Sequence, residues 1–135
     1  MPTALEIVTP ERLLLSRAVD MVVVPAAEGE LGVLPGHAPM IALLRGGVLR
    51  IFEGQQETSR LFVAGGFAEI TPERCTVLAS EVMPLAEVSK SAAERRIKEA
   101  EAAYEAVDKS DIAARDMTLD HLQSARAMLA VAEAP

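Results

Sequence analysis

From residue 4 to residue 84 the apolar positions fall into short runs, each closed by glycine, proline or a charged cluster. Ala4 to Thr9, Leu13 to Ser16, Val19 to Pro25, Met40 to Leu44, Val48 to Glu53, Thr58 to Ala64, Phe67 to Thr71 and Cys75 to Glu81 all read as strands. Val19 to Pro25 is apolar on both faces, which predicts a strand covered on two sides. The tetrapeptide Thr9-Pro10-Glu11-Arg12 recurs at Thr71-Pro72-Glu73-Arg74. Nothing else around the two copies matches, so this is repeated turn chemistry rather than an internal repeat. Strands this short, with frequent turn signals, predict a sandwich or a small barrel. The intervals leave no room for the helical crossovers of a parallel sheet.

The pattern changes at Leu85. Glycine disappears, alanine dominates, and Ala93, Ile97, Ala100, Tyr104 and Val107 alternate by four and three, the seam of an amphipathic helix. Ser91-Ala-Ala-Glu94 has the form of a capping box, so the helix starts there or up to one turn earlier. Asp108-Lys109-Ser110-Asp111 supplies cap and turn residues, which ends the first helix near Asp108 and begins a second near Ile112. Leu119, Leu122, Ala125 and Leu129 form the second apolar stripe, giving an antiparallel αα-hairpin. The expected organisation is a β domain over residues 1–84 and a helical hairpin over 85–135. Alanine seams remove little area from water, so the hairpin's docking is worth only a few kcal/mol.

The most constrained stretch runs from Glu28 to Pro39, Glu-Gly-Glu-Leu-Gly-Val-Leu-Pro-Gly-His-Ala-Pro. Pro35-Gly36 predicts a type II turn, because proline presets φ at the first central position and glycine accepts the positive φ of the second. His37 leaves that turn, and Pro39 keeps Ala38 extended. The stretch reads as a rigid loop that presents side chains. His37 is open to two readings, a ring satisfied by a local carbonyl or a contact residue at a partner surface. Glu28 and Glu30 flank Gly29 and read as solvated charges rather than as an acid and base pair.

Composition narrows the function. The net charge is -7 and aromatic residues make up 3%, so phosphate is repelled and rings for base stacking are scarce, which excludes nucleic acid as a partner. No apolar run approaches the roughly 20 residues of a spanning helix. Residues 1–15 lack a basic n-region and carry Glu6 and Glu11, so neither a signal nor a transit peptide is expected. The single cysteine, Cys75, reads as a small core hydrophobe. No phosphate-cradling loop, nucleophile elbow or paired histidines occur; His37 and His121 lie far apart, and catalysis, cofactor and metal are not expected.

The Glu28 to Pro39 run, followed by Gly46-Gly47-Val48-Leu49 and Gly65-Gly66-Phe67-Ala68, resembles the epsilon subunit of the rotary F-type ATP synthase across essentially the whole chain. The resemblance implies a sandwich of about ten short strands beside two C-terminal helices. It implies a non-catalytic part of the central stalk that binds the gamma subunit and sits on the ring of c subunits. By that resemblance Glu30 touches the c ring and His37 lies near the gamma contact, with Glu28 and Gly36 expected on the same partner-binding stretch. The Met1 start without a transit peptide points to a bacterial source, with the chain expected peripherally on the cytoplasmic face of the inner membrane.

Many bacterial members bind ATP through an Ile- or Leu-Asp-x-x-Arg-Ala motif where this chain has Val88-Ser89-Lys90-Ser91-Ala92-Ala93. Ser89 stands for the aspartate and Ala92 for the arginine, so the resemblance does not carry that site over. Members that inhibit ATP hydrolysis send a basic second helix toward the beta subunit. Residues 116–135 here hold Asp116, Asp120 and Glu133 against Arg126, which implies weak or absent inhibition. The alternative is a nucleotide-sensing regulator that inhibits hydrolysis through its helical hairpin.

Overall fold

The computed structural model describes residues 2–134. Ten strands form two five-stranded sheets that face each other, and two helices lie against one of them. The strands are β1 (Thr3–Val8), β2 (Leu13–Val19), β3 (Met21–Ala26), β4 (Gly29–Val33), β5 (Met40–Leu43), β6 (Gly47–Glu53), β7 (Gln56–Ala64), β8 (Phe67–Ile70), β9 (Arg74–Leu78) and β10 (Glu81–Pro84). One sheet has the order β2-β1-β9-β8-β5 and the other β10-β7-β6-β3-β4. We call them the bare and the covered sheet, for the reason given below.

The sandwich closes on the alternation of its strands. Leu5 and Ile7 of β1, Val22 and Val24 of β3, Leu49 and Ile51 of β6, Ile70 of β8 and Val77 of β9 are buried in one cluster with Cys75 between the sheets. Cys75 is thus the core hydrophobe its neighbours predicted. Val23 and Pro25 are also buried, so β3 is indeed covered on both faces. The exclusion of parallel pairing needs correcting at one place: β1 and β9 run parallel. No helical crossover is needed there, because the intervening chain passes through the opposite sheet before returning.

Strand boundaries also shift: β2 runs on through Val19, so the strand expected from Val19 begins as β3 at Met21. Cys75 to Glu81 is not one strand: Ala79 and Ser80 carry the chain from β9 in one sheet to β10 in the other. The Glu28 to Pro39 run is not one loop. Its first half is β4, paired antiparallel with β3 through a two-residue turn at Ala27 and Glu28. Gly29 and Gly32 hide this strand in the sequence by removing the side chains that signal alternation.

After a single 3-10 turn (Leu85–Glu87), α1 (Lys90–Ala106) and α2 (Ile112–Glu133) form the hairpin. The cap of α1 is Ser89, whose side chain accepts from the Ala92 N–H at 3.3 Å, and not Ser91 of the expected capping box. Asp111 caps α2 at the predicted place. Ala93 and Met128 pack on Phe62 and Ala64 of β7, with Met83, Leu85, Leu129 and Val131 around them. The burial of β7 records where the helices lie. Residues 56–61 alternate between exposed and half-buried, whereas Phe62, Val63 and Ala64 are all buried because both faces are covered there. Arg96 reaches Glu81 at 2.7 Å and Lys90 reaches Glu133 at 3.6 Å, exposed pairs that add little.

Candidate docking surface

The strand β4 separates the residues that the sequence reading grouped. Glu28 and Glu30 stand at its start and Gly36 and His37 beyond its end. At about 3.3 Å per residue, Glu30 and Val33, the last residue of β4, are roughly 10 Å apart along the strand, with Gly36 and His37 beyond. Glu28, Glu30 and Gly36 are exposed, and His37 is half-buried. Glu30 is met at 3.3 Å by Arg50 of β6, whose guanidinium also lies 3.9 Å from Glu57 and 5.7 Å from the centre of the Phe52 ring.

At the other end the predicted turn forms. Gly36 has φ +85° and the His37 N–H donates to the Leu34 carbonyl at 3.1 Å, closing Leu34-Pro35-Gly36-His37. The Gly36 N–H donates to Pro72 at 2.8 Å, so this turn is pinned to the second copy of the Thr-Pro-Glu-Arg turn. His37 Nδ1 lies 2.8 Å from the Ala38 carbonyl; since a carbonyl only accepts, this nitrogen donates. Of the two readings of His37, the local carbonyl is satisfied within the chain.

A surface that the sequence reading missed emerges from strand register. Leu43 pairs with Phe67, Phe67 with Leu78, Leu78 with Val8 and Val8 with Leu13. Paired residues share a face, so these five form one apolar row across all five strands of a sheet. They point away from the core: Leu13 is 52% exposed and Leu43 67%, with Phe67, Leu78 and Val8 half-buried. Ile41, 66% exposed on the edge strand β5, and Leu34, 55% exposed beside it in sequence, enlarge the apolar area. The helices cover the other sheet, hence the name bare sheet for this one. The signal in the sequence was β5 itself, Met40-Ile41-Ala42-Leu43, apolar on both sides of an edge strand where one face must look outward.

Between the hairpin and the sandwich lies a cleft of about 1210 Å³, with Arg45, Gly65 and Gly66 on one side and Glu99, Asp116, Asp120 and His121 on the other. No group of three or more metal-ligating side chains exists among the described residues. No helix among them is long and apolar enough to cross a membrane. The burial of Cys75 pushes its thiol up to about 11, so it stays protonated and inert at neutral pH. Ser89, at the aspartate position of the ATP motif, serves as the helix cap.

A stiff β-sandwich with one sheet roofed by helices and the other showing an apolar row is a docking protein, whose chemistry is contact. The family model of the ATP synthase delta/epsilon chain beta-sandwich domain matches residues 3–85. The chain is 65% identical over 130 residues to the ATP synthase epsilon chain of Granulibacter bethesdensis, covering 96% of each. It is 45% identical over 135 residues to that of Gluconacetobacter diazotrophicus, covering 100% of this chain and 96% of the relative. Its fold matches a chain in the mitochondrial ATP synthase assembly of Euglena gracilis with TM-score 0.74 at 24% identity, covering 96% of this chain and 80% of that one. A chain in the central stalk and c-ring structure of the Tetrahymena thermophila enzyme matches with TM-score 0.65 at 13% identity, covering 98% and 97%. The chain belongs to the ATP synthase epsilon chain family, and as a member it is a non-catalytic subunit.

Proposed function

We propose that the chain is a central-stalk subunit that couples rotation of a proton-driven c ring to the gamma subunit. The observation that carries this is the apolar row of the bare sheet, an outward-facing strip running to both sheet edges. An unpaired edge strand offers free N–H and C=O groups to another chain, and the apolar face beside it is poorly solvated, which together suit a large, permanent protein partner. In this reading the gamma subunit lies on the bare sheet and near the His37 turn. Glu28 and Glu30, at the opposite end of β4, face the c ring, whose polar loops can meet carboxylates. The subunit is then held peripherally at the cytoplasmic face of a bacterial inner membrane through the ring.

Inhibition of ATP hydrolysis by the hairpin is weak or absent in this proposal. Asp116 and Asp120 on α2 give an acidic surface where docking on an acidic segment of the beta subunit needs a basic one. Arg115 lies 3.3 Å from Asp116 and is partly neutralised by it.

The test is co-purification with the gamma subunit. Wild type is retained, whereas Leu43→Asp buries an unpaired carboxylate in the contact and lowers affinity by more than about 100-fold. Retention of Leu43→Asp at wild-type strength refutes the assigned surface. For the second part, deleting residues 86–135 leaves ATP hydrolysis by the assembled enzyme nearly unchanged, and a sharp rise refutes weak inhibition.

A further inference from the structure

The hairpin also grips the sandwich through a side-chain amide. Gln123, in the middle of α2, donates from Nε2 to the Gly46 carbonyl at 2.9 Å and accepts on Oε1 from the Gly46 N–H, also at 2.9 Å. One side-chain amide thus satisfies both backbone groups of one residue, as a neighbouring strand would. The fit requires glycine: a Cβ at residue 46 would stand 2.6 Å from the Cα of Ser124, so helix and loop touch backbone to backbone. Gly46 itself is held in place. The Arg45 N–H donates to Pro25 at 2.9 Å, the Leu44 N–H to Gly66 at 3.1 Å, and the Leu43 carbonyl accepts from Ala27 at 2.8 Å. The latched peptide therefore follows directly from β5, the edge strand with Ile41 and Leu43 exposed.

We propose that the Gly46 and Gln123 pair is a latch that sets how much of the time the hairpin lies on the covered sheet, and that it couples this balance to occupation of β5. The identity of what occupies β5, the gamma subunit, rests on the function proposed above. When the hairpin lifts, water reaches both partners, so no polar group is left unsatisfied and the latch opens at the modest net value of two hydrogen bonds. That value is about 30-fold in the ratio of docked to released hairpin, or about 2 kcal/mol. A partner that immobilises β5 immobilises the Gly46 peptide facing Gln123 and so favours the docked hairpin. By linkage the docked hairpin raises the affinity of β5 for its partner by the factor by which that partner favours docking, about fivefold, and this coupling is lost with the latch.

Gln123→Met keeps the length and apolar stem of the side chain and removes both hydrogen-bonding groups. In the full-length chain, hydrogen exchange over residues 118–130 of α2 is expected to accelerate by about 30-fold while β3 and β6 exchange as in wild type. Affinity for the isolated gamma subunit is expected to fall about fivefold. Gly46→Ala, which drives a methyl into the α2 backbone, gives the same two changes, and adding Gln123→Met to it changes little more. Unaltered exchange of α2 in Gln123→Met overturns the latch. Faster exchange with unaltered gamma affinity overturns the coupling. A wild-type chain that fails to bind gamma at all refutes the function proposed above and the coupling with it, while the exchange result still judges the latch.

Discussion

Met128→Ala tests whether the hairpin is a separable element. Met128 is 2% exposed and sits in the cluster of Phe62, Ala64 and Ala93 outside the sandwich core, which has its own residues. Truncating a buried methionine to alanine costs about 2–5 kcal/mol. Most of the hairpin's other buried contacts are alanines, so its docking is worth only a few kcal/mol in total. A loss of about 3 kcal/mol lowers the docked to released ratio by about 100-fold, most of what holds the helices down. The assay is limited trypsin digestion followed by mass spectrometry, since cleavage tracks the population of the open form when opening is fast. Cutting after Arg95 and Lys98 accelerates by about 100-fold, and a fragment of the sandwich persists. If instead the sandwich is digested in step with the helices, the two parts form one cooperative unit and the separation argued here is wrong.

Three further outcomes follow from single sites. Cys75 is fully buried and holds its proton up to about pH 11 rather than the ordinary 9.0, so the folded state binds the proton more tightly than the unfolded one. Its contribution is complete below pH 9 and fades as pH rises to 11; the urea midpoint should fall more between pH 8.5 and 10.5 in wild type than in Cys75→Ala, and equal falls refute the assignment. Gly36→Ala places a side chain at φ +85° and should lower stability by roughly 1 kcal/mol, read as a drop in Tm of several degrees. Arg96→Ala breaks the 2.7 Å pair with Glu81, but both side chains are partly exposed, so denaturant titration should register less than about 1 kcal/mol.

Much of the architecture is written in local patterns. The Asp111 cap and the Pro35-Gly36 turn are each decided by residues within one turn of one another and form where the sequence places them, and the α1 seam buries Ala93 and Ala100. In α2, however, Leu119 of the expected stripe is 40% exposed and Met128, outside it, is buried with Leu122 and Ala125. The strand β4 was not legible, since two of its five residues are glycine and offer no alternation to read. Ser91 matched the capping box in spelling, yet the preceding Ser89 takes the cap and Ser91 Oγ lies 3.1 Å from Ser89 Oγ. The apolar row was beyond reach for a different reason. Leu13, Val8, Leu78, Phe67 and Leu43 belong to five strands, and only the register that aligns them makes a surface of residues that singly look like ordinary strand positions. The Gly46 and Gln123 contact, spanning 77 positions, is of the same kind.

The placement of helices and apolar row on opposite sheets has a physical consequence for how the subunit works. A single surface could not both hold a permanent partner and host a weakly docked hairpin, because any partner strong enough to stay would displace the helices. Here the hairpin rests on Phe62 and Ala64 of the covered sheet, whereas the row belongs to the bare one, with the shared core of Leu5, Ile7, Val24 and Ile51 between them. Lifting the hairpin therefore uncovers a small apolar seat and acts on the row only through β5, beside the latch. The link between the two sides is the edge of the sandwich, where Leu43 ends β5 and Gly46 meets α2 three residues later. On the function proposed above, an element attached through so narrow a connection can change position while the rigid body keeps its grip on the gamma subunit.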